Sequence, residues 1–164
     1  MLEGRPPREP SADPPSTSGG NFEIGRRHLR FGWWSLLLFL SLGIGLEAMH
    51  GLKIGWYLNA GQETRRLMFT LAHAHGTLLA LVNIVFGLTS QGVPSWRNCA
   101  FSSRGLLVGS WLLPLGFFFG GIYIYEGDPG VGVWLVPVGG LLLLLSVLSA
   151  AVGISRALDK MHGP

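Results

Sequence analysis

The chain of 164 residues contains a single cysteine, Cys99, and few charged residues. One thiol excludes a disulfide within the chain and any zinc or iron–sulfur site that needs several cysteines of one chain. Charged residues make up 13% of the sequence, against about 25% in an ordinary soluble domain. Hydrophobic residues make up 48%, and the mean hydropathy is +0.41. This composition predicts a protein whose apolar segments face lipid.

An apolar period is missing from the first 25 or so residues, which are rich in Pro, Ser and Gly. Such a segment cannot bury enough surface to offset its chain entropy, so residues 1–25 are predicted to form a disordered cytoplasmic tail. A cleaved signal peptide is not expected. The first apolar run begins only after residue 30, is longer than a signal-peptide core, and is not followed by an A-x-A-like site.

Four apolar blocks follow, at about residues 31–52, 67–89, 106–125 and 131–154. Each is long enough for an α-helix, with a rise of about 1.5 Å per residue, to cross a hydrocarbon layer of about 30 Å. The blocks are too few and too uniformly apolar for a closed β-barrel. We therefore predict an all-α integral membrane protein, an up-down-up-down four-helix bundle over residues 26–160.

Small residues recur within these blocks at spacings that favour close backbone packing in lipid. They are Gly43 and Gly51 in the first block, Gly105, Gly109, Gly116 and Gly120 in and beside the third, and Ser146, Ser149, Ala150 and Gly153 in the fourth.

Basic residues flank the blocks mainly on one side of the membrane. They are Arg26, Arg27 and Arg30, then Arg97 and Arg104, then Arg156 and Lys160. The connection at residues 126–130 contains none, so the positive-inside rule predicts that both termini are cytoplasmic. We expect a bacterial inner membrane as the location. Because these flanking clusters supply the net charge of +3, nucleic acid is not an expected partner.

Four ionisable residues of the first two blocks are predicted to lie at one depth. Glu47 and His50 share a helix face, whereas His73 and His75 lie about 200° apart on the next helix and flank a stripe of small and polar residues. With Lys53 and Arg66 as markers of the outer boundary, Glu47 lies about 9 Å and His73 about 10 Å below it. Ionisable groups at such depth cost about 2.5–3.5 kcal/mol or more, and usually have partners.

These residues are candidates for a cofactor site. Two histidines from neighbouring helices can ligate haem iron, and imidazoles with a carboxylate can hold a transition metal. The predicted metal ligands are Glu47, His50, His73 and His75. Three basic residues on the outer side, Lys53, Arg65 and Arg66, are placed to pair with haem propionates or an anionic substrate. A di-iron carboxylate site is less favoured, because the later blocks lack the further Glu and His that it needs.

The stretch that begins at His73, with the letters HAHGTLLALVN, resembles the His-x-His-x-x-x-Leu-Gly helix of small membrane proteins related to the haem–copper oxidase catalytic subunit. In that superfamily a histidine early in a helix is a haem ligand. The resemblance implies that His73 or His75 is an axial ligand. It does not imply a copper centre or oxygen reduction, because the later blocks contain no second histidine set.

Three functions follow from these observations. The first is a small haem- or metal-binding membrane protein for electron transfer. The second is a non-enzymatic assembly or scaffold subunit of a membrane complex or homo-oligomer, in which Glu47 and the histidines are interhelical contacts. The third is a small transporter or proton relay. No Ser or Cys motif accompanies the histidines, so nucleophilic catalysis of the kind found in soluble enzymes has no support. The chain is not expected to be an enzyme on its own.

Overall fold

The computed structural model describes residues 17–59, 61, 63–93, 96 and 99–162. Four long helices dominate this part of the chain: α1 (Thr17–Gly51), α3 (Glu63–Gly92), α4 (Cys99–Ile122) and α5 (Leu135–His162). A short helix, α2 (Gly55–Leu58), joins α1 to α3. Between α4 and α5 lie an antiparallel pair, β1 (Ile124–Tyr125) and β2 (Asp128–Pro129), and a 3-10 helix (Val131–Trp134).

The four long helices are long and apolar enough to cross a membrane. Large hydrophobic side chains cover their outer faces, as at Leu141, Leu144 and Leu148 of α5. This confirms the predicted all-α architecture, a helical bundle that fits a small multi-pass membrane protein.

The helix ends differ from the predicted blocks. α3 extends beyond residues 67–89 on both sides, whereas α4 ends at Ile122, before the predicted residue 125, and α5 begins at Leu135, after the predicted residue 131. α1 begins at Thr17, so residues 17–25 of the predicted disordered tail are helical, while residues 1–16 and Arg97 lie outside the described residues. The extension is held by tertiary contacts that composition does not reveal. A Cβ at Gly25 would lie 2.7 Å from the carbonyl oxygen of Gly87 on α3, and Asn21 Nδ2 donates to the Trp96 carbonyl at 3.2 Å.

The long helices pack in a row, with α1 against α3, α3 against α4, and α4 against α5. Glycines of α4 face α5. A Cβ at Gly109 would lie 2.7 Å from Leu143 Cγ, and one at Gly116 would lie 2.9 Å from Val136 Cγ2. The predicted packing of small residues is thus confirmed for α4. It is wrong for Gly51, where an added Cβ would meet no atom of the described residues within 4 Å.

Aromatic side chains mark the two ends of the apolar layer. Trp33 and Trp34 of α1 are exposed near one end, and Trp56 and Trp134 near the other, as expected for headgroup belts. Gly51 lies about 27 Å beyond Trp33 along α1, close to the thickness of the hydrocarbon core. We call the end with Arg26, Arg27, Arg30 and Arg104 the basic end, and the end with α2 and the β pair the loop end.

Neighbouring glycines on α5 provide a test of this packing. A Cβ at Gly139 would lie 2.8 Å from Leu113 N and 3.2 Å from Leu113 Cα, whereas one at Gly140 would make an ordinary contact, 3.8 Å from Leu113 Cδ1. Backbone atoms cannot yield, so we expect Gly139→Ala to lower the unfolding free energy in detergent by about 1–3 kcal/mol. Gly140→Ala, at the same helical depth, should leave it unchanged or raise it; equal effects would contradict the α4–α5 interface.

Candidate functional site

A groove of about 410 Å³ lies at the loop end between α1 and α3, and we call it the polar groove. Its wall contains three of the four predicted ligands, Glu47 and His50 of α1 and His73 of α3. Thr70 and Tyr57 add two hydroxyl groups to the same wall. The volume lies within the range of about 300–1,000 Å³ that small ligands occupy in proteins.

His73 is held in one orientation within this groove. Its Nδ1 lies 2.7 Å from the carbonyl oxygen of Phe39. A carbonyl oxygen only accepts, so Nδ1 carries the proton and donates it. The ring lies directly against Gly43 of α1, where any side chain would collide with it.

This tautomer leaves Nε2 of His73 as a free acceptor. Two buried side-chain atoms in the described part of the chain have no hydrogen-bond partner, Thr77 Oγ1 and Trp96 Nε1. Nε2 of His73 is not one of them, so this nitrogen is not sealed inside the protein. Histidines that bind metals usually donate their other ring N–H to a carbonyl or carboxylate, which fixes the ring and its basicity. His73 has this arrangement.

Glu47 and His50 border the groove but do not complete a metal site. Both side chains are exposed on α1. Among the described residues, no group of three or more His, Cys, Asp or Glu side chains lies close enough together to hold a metal ion. Three of the four predicted ligands therefore line one groove, but their side chains do not come close enough together to hold a metal ion.

His75 faces away from the polar groove. Its Nδ1 lies 2.9 Å from the Leu71 carbonyl oxygen of its own helix. Its ring centroid lies 5.0 Å from that of Phe117 on α4. The angular separation of the two histidines on α3 thus directs only His73 toward α1.

The three basic residues predicted at the rim do not line the polar groove. Arg65 is buried, and donates from Nε to the Gly121 carbonyl at 3.2 Å and from Nη1 to the Trp56 carbonyl at 2.8 Å. Arg66 Nη1 reaches the carbonyls of Tyr57 and Asn59 at 3.4 and 3.3 Å. Lys53 follows the end of α1 with a positive φ of 54°. The two arginines are therefore already bonded to the α2 segment and α4.

A second polar cluster, which the sequence did not predict, is buried near the basic end. His28 is fully buried between helices. Its Nδ1 lies 2.7 Å from Asn83 Oδ1 and its Nε2 lies 2.8 Å from Ser103 Oγ. Arg27 Nη2 donates to Ser103 Oγ at 2.7 Å, and Asn83 Nδ2 donates to Ser110 Oγ at 2.8 Å. Arg27 is exposed and the other four residues are buried. We call the five residues together the buried network.

One direction of donation satisfies the whole network. The Arg27 guanidinium can only donate, so Ser103 accepts from it and can pass its own O–H to Nε2 of His28. Asn83 uses its NH₂ group on Ser110 and on the Leu79 carbonyl, which leaves Oδ1 to accept from Nδ1–H of His28. The network joins α1, α3 and α4 without an unused polar atom at His28, so it is a structural clamp rather than an open site.

The spacing of small and apolar residues along α1 indicates that His28 lies on a buried helix face. Gly25, His28, Gly32, Ser35 and Phe39 follow each other at intervals of three or four residues, which places them on one helix face. All five are buried. Arg26, Arg27 and Arg30 are typical of a charge cluster that flanks a membrane span, so the sequence did not predict that this face of α1 is buried.

Comparisons with protein-family models, curated proteins and solved structures give no match to this chain. The fold and the groove define a class, a small multi-pass membrane bundle with a histidine-bearing groove between two spans. The resemblance of the HAHGTLLALVN stretch to haem–copper oxidase relatives stays a prediction.

Two serines of similar chemistry test the buried network. Ser103→Ala would leave Arg27 and His28 Nε2 without their partner, so we expect a loss of about 1–3 kcal/mol in unfolding free energy. Ser41 bonds only to the Leu37 carbonyl of its own helix and is exposed, so Ser41→Ala should change it by less than about 0.5 kcal/mol. Unfolding of both variants in detergent measures the difference. An unaffected Ser103→Ala protein would show that the network does not clamp the helices.

Two glycines on α1 test the seat of His73. Gly43→Ala would push the ring from its place, and we expect a loss of about 1–3 kcal/mol in unfolding free energy. An added Cβ at Gly45 would meet nothing within 4 Å among the described residues, so Gly45→Ala should be neutral or stabilising by up to about 1 kcal/mol. Thermal unfolding followed by circular dichroism compares them; a neutral Gly43→Ala would refute the close contact with His73.

Proposed function

We propose that this small multi-pass membrane protein binds haem iron, or another transition-metal centre, in the polar groove through Nε2 of His73. The observation that carries the proposal is the bond from His73 Nδ1 to the Phe39 carbonyl, which orients the ring and leaves Nε2 as the ligating atom. Electron transfer is the chemistry that such a centre supplies when bound.

The ligand geometry favours haem over a bare metal ion. A closed ion site takes about four ligands, and the described residues contain no group of three or more His, Cys, Asp or Glu close enough to form one. Haem iron, by contrast, can be held by a single proximal histidine. The exposed Glu47 and His50 would then act at the edge of the groove, by hydrogen bonding to the cofactor or by limiting its access.

The position of the groove suits a membrane cofactor. If the basic end is cytoplasmic, as the arginine distribution predicts, the polar groove faces the outer half of the membrane. A site at that depth is partly shielded from water, and a subunit of a larger membrane complex could exchange electrons there with a neighbouring chain.

The neighbouring histidines provide a matched test. We expect protein purified in detergent from a haem-replete host, or loaded with haemin, to show a Soret band and stoichiometric iron. His73→Ala should abolish the band, because it removes the fixed Nε2. His75→Ala should retain it, because that ring contacts Phe117 outside the groove. Absorption spectra and metal analysis, with circular dichroism to verify folding, provide the measurements.

Two outcomes would overturn the proposal. A wild-type protein that stays colourless and metal-free after loading would exclude the cofactor. Loss of the band in His75→Ala but not in His73→Ala would exclude the assigned ligand.

A second candidate is a non-enzymatic assembly or scaffold subunit. The observation that favours it is that His28 and His73 both bond across the α1–α3 interface, as interhelical polar contacts do. An exposed Glu47 within a membrane span is costly, and a neighbouring chain could relieve that cost. In this case His73→Ala would lower the unfolding free energy and the yield of a complex without any spectroscopic change.

A further inference from the structure

A second groove lies beside the outer half of α1, and we call it the apolar groove. Its volume is about 420 Å³. Leu42, Leu46 and Met49 of α1 form one wall, Phe118 and Ile122 of α4 form the other, and Phe69 and Trp56 complete the lining. Leu46 also borders the polar groove, so the two cavities lie on either side of the same helix.

The lining of the apolar groove is hydrocarbon and aromatic carbon. The ring of Phe69 lies 5.8 Å from that of Trp56 and 5.4 Å from that of Phe118, measured between centroids. Leu46 of α1 and Phe118 of α4 pack in one hydrophobic cluster with Phe69 of α3. A cavity of this composition, between membrane-spanning helices, suits an acyl chain better than water.

The guanidinium of Arg65 lies at the loop end of the apolar groove. Its Cζ lies 4.3 Å from the centroid of the Trp56 ring, which lines the groove. Its Nε donates to the carbonyl of Gly121, the residue before groove-lining Ile122. Arg65 is only 7% exposed, so its charge is held at this place by the fold.

The charge of Arg65 has no carboxylate partner in the part of the chain that the structure describes. The ion pairs found there are Arg26 with Glu23 and Arg66 with Glu63. Carbonyls occupy Nε and Nη1 of Arg65 and leave Nη2 available. A buried charge of this kind calls for a counter-ion.

We propose that the apolar groove binds one acyl chain of an anionic phospholipid whose headgroup phosphate pairs with Arg65. Arginine is suited to phosphate because its planar fork donates two hydrogen bonds at once. Trp56 lies at the headgroup level, so a chain in the groove would place its phosphate beside Arg65. This site is separate from the polar groove and does not depend on the cofactor proposal.

A lipid titration tests the site in the full chain. Native mass spectrometry of delipidated protein in detergent would compare phosphatidylglycerol with phosphatidylcholine of the same acyl chains. We expect wild-type protein to bind phosphatidylglycerol at least about tenfold more tightly, the scale of one charge-assisted hydrogen bond. Arg65→Gln should remove this preference. Arg66→Gln should retain it, because Arg66 already pairs with Glu63 at 3.9 Å and bonds to the Tyr57 and Asn59 carbonyls, whereas Arg65 lies over the groove-lining Trp56 ring.

A second variant separates loss of the site from loss of folding. Met49→Trp would fill the groove while Arg65 remains, and it should weaken binding of both lipids by about tenfold or more, the scale of one lost buried side-chain contact. Equal binding of the two lipids by wild-type protein would overturn the proposal. So would the same loss of preference in Arg66→Gln as in Arg65→Gln, or unchanged lipid binding by folded Met49→Trp.

Discussion

The close approach of α1 and α3 is the constraint on which both polar sites depend. Glycine replaces a side chain on α1 at Gly25, Gly32 and Gly43, and on α3 at Gly76 and Gly87, and at each position an added Cβ would crowd the opposite helix. Lipid gives helices little hydrophobic reason to associate, so close packing and interhelical hydrogen bonds must hold them together. Because the backbones are near, an imidazole on one helix can reach a polar atom on the other.

Two histidines use this interface in different ways. Both ring nitrogens of His28 are bonded, to Asn83 and Ser103, so this residue has no remaining acceptor for chemistry. His73 uses one nitrogen on the Phe39 carbonyl and retains the other. The same kind of contact therefore leaves both ring nitrogens of His28 bonded near the basic end and leaves Nε2 of His73 unbonded near the loop end. The two sites differ in the polar side chains that α4 supplies. Ser103 bonds to His28 and Ser110 bonds to Asn83, whereas His73 borders the polar groove.

The outer half of α1 separates two cavities of opposite character. Glu47, His50 and His73 make one of them polar, whereas leucine and aromatic side chains line the other. At this level Phe69 of α3 packs with Phe118 of α4 and Leu46 of α1. A cofactor in the first cavity and a lipid chain in the second would both contact α1, so occupancy of either one would stiffen the helix that also borders the other.

The sequence by itself determined the four apolar helices, the small-residue packing of α4 and the common level of Glu47, His50 and His73 at the loop end. Segment length, hydropathy and helical rise are local properties. It did not determine where α1 begins, since the contacts of Asn21 and Gly25 that hold residues 17–25 come from distant segments. It also left His73 and His75 equivalent, and only the position of Phe39 distinguishes them. Arg65 and Arg66 could be placed at the loop end from sequence, but their carbonyl partners could not. The tertiary structure decided these points because each depends on an atom of another helix or loop. The hydrophobic periodicity of one helix does not determine the angle and register at which it packs against another.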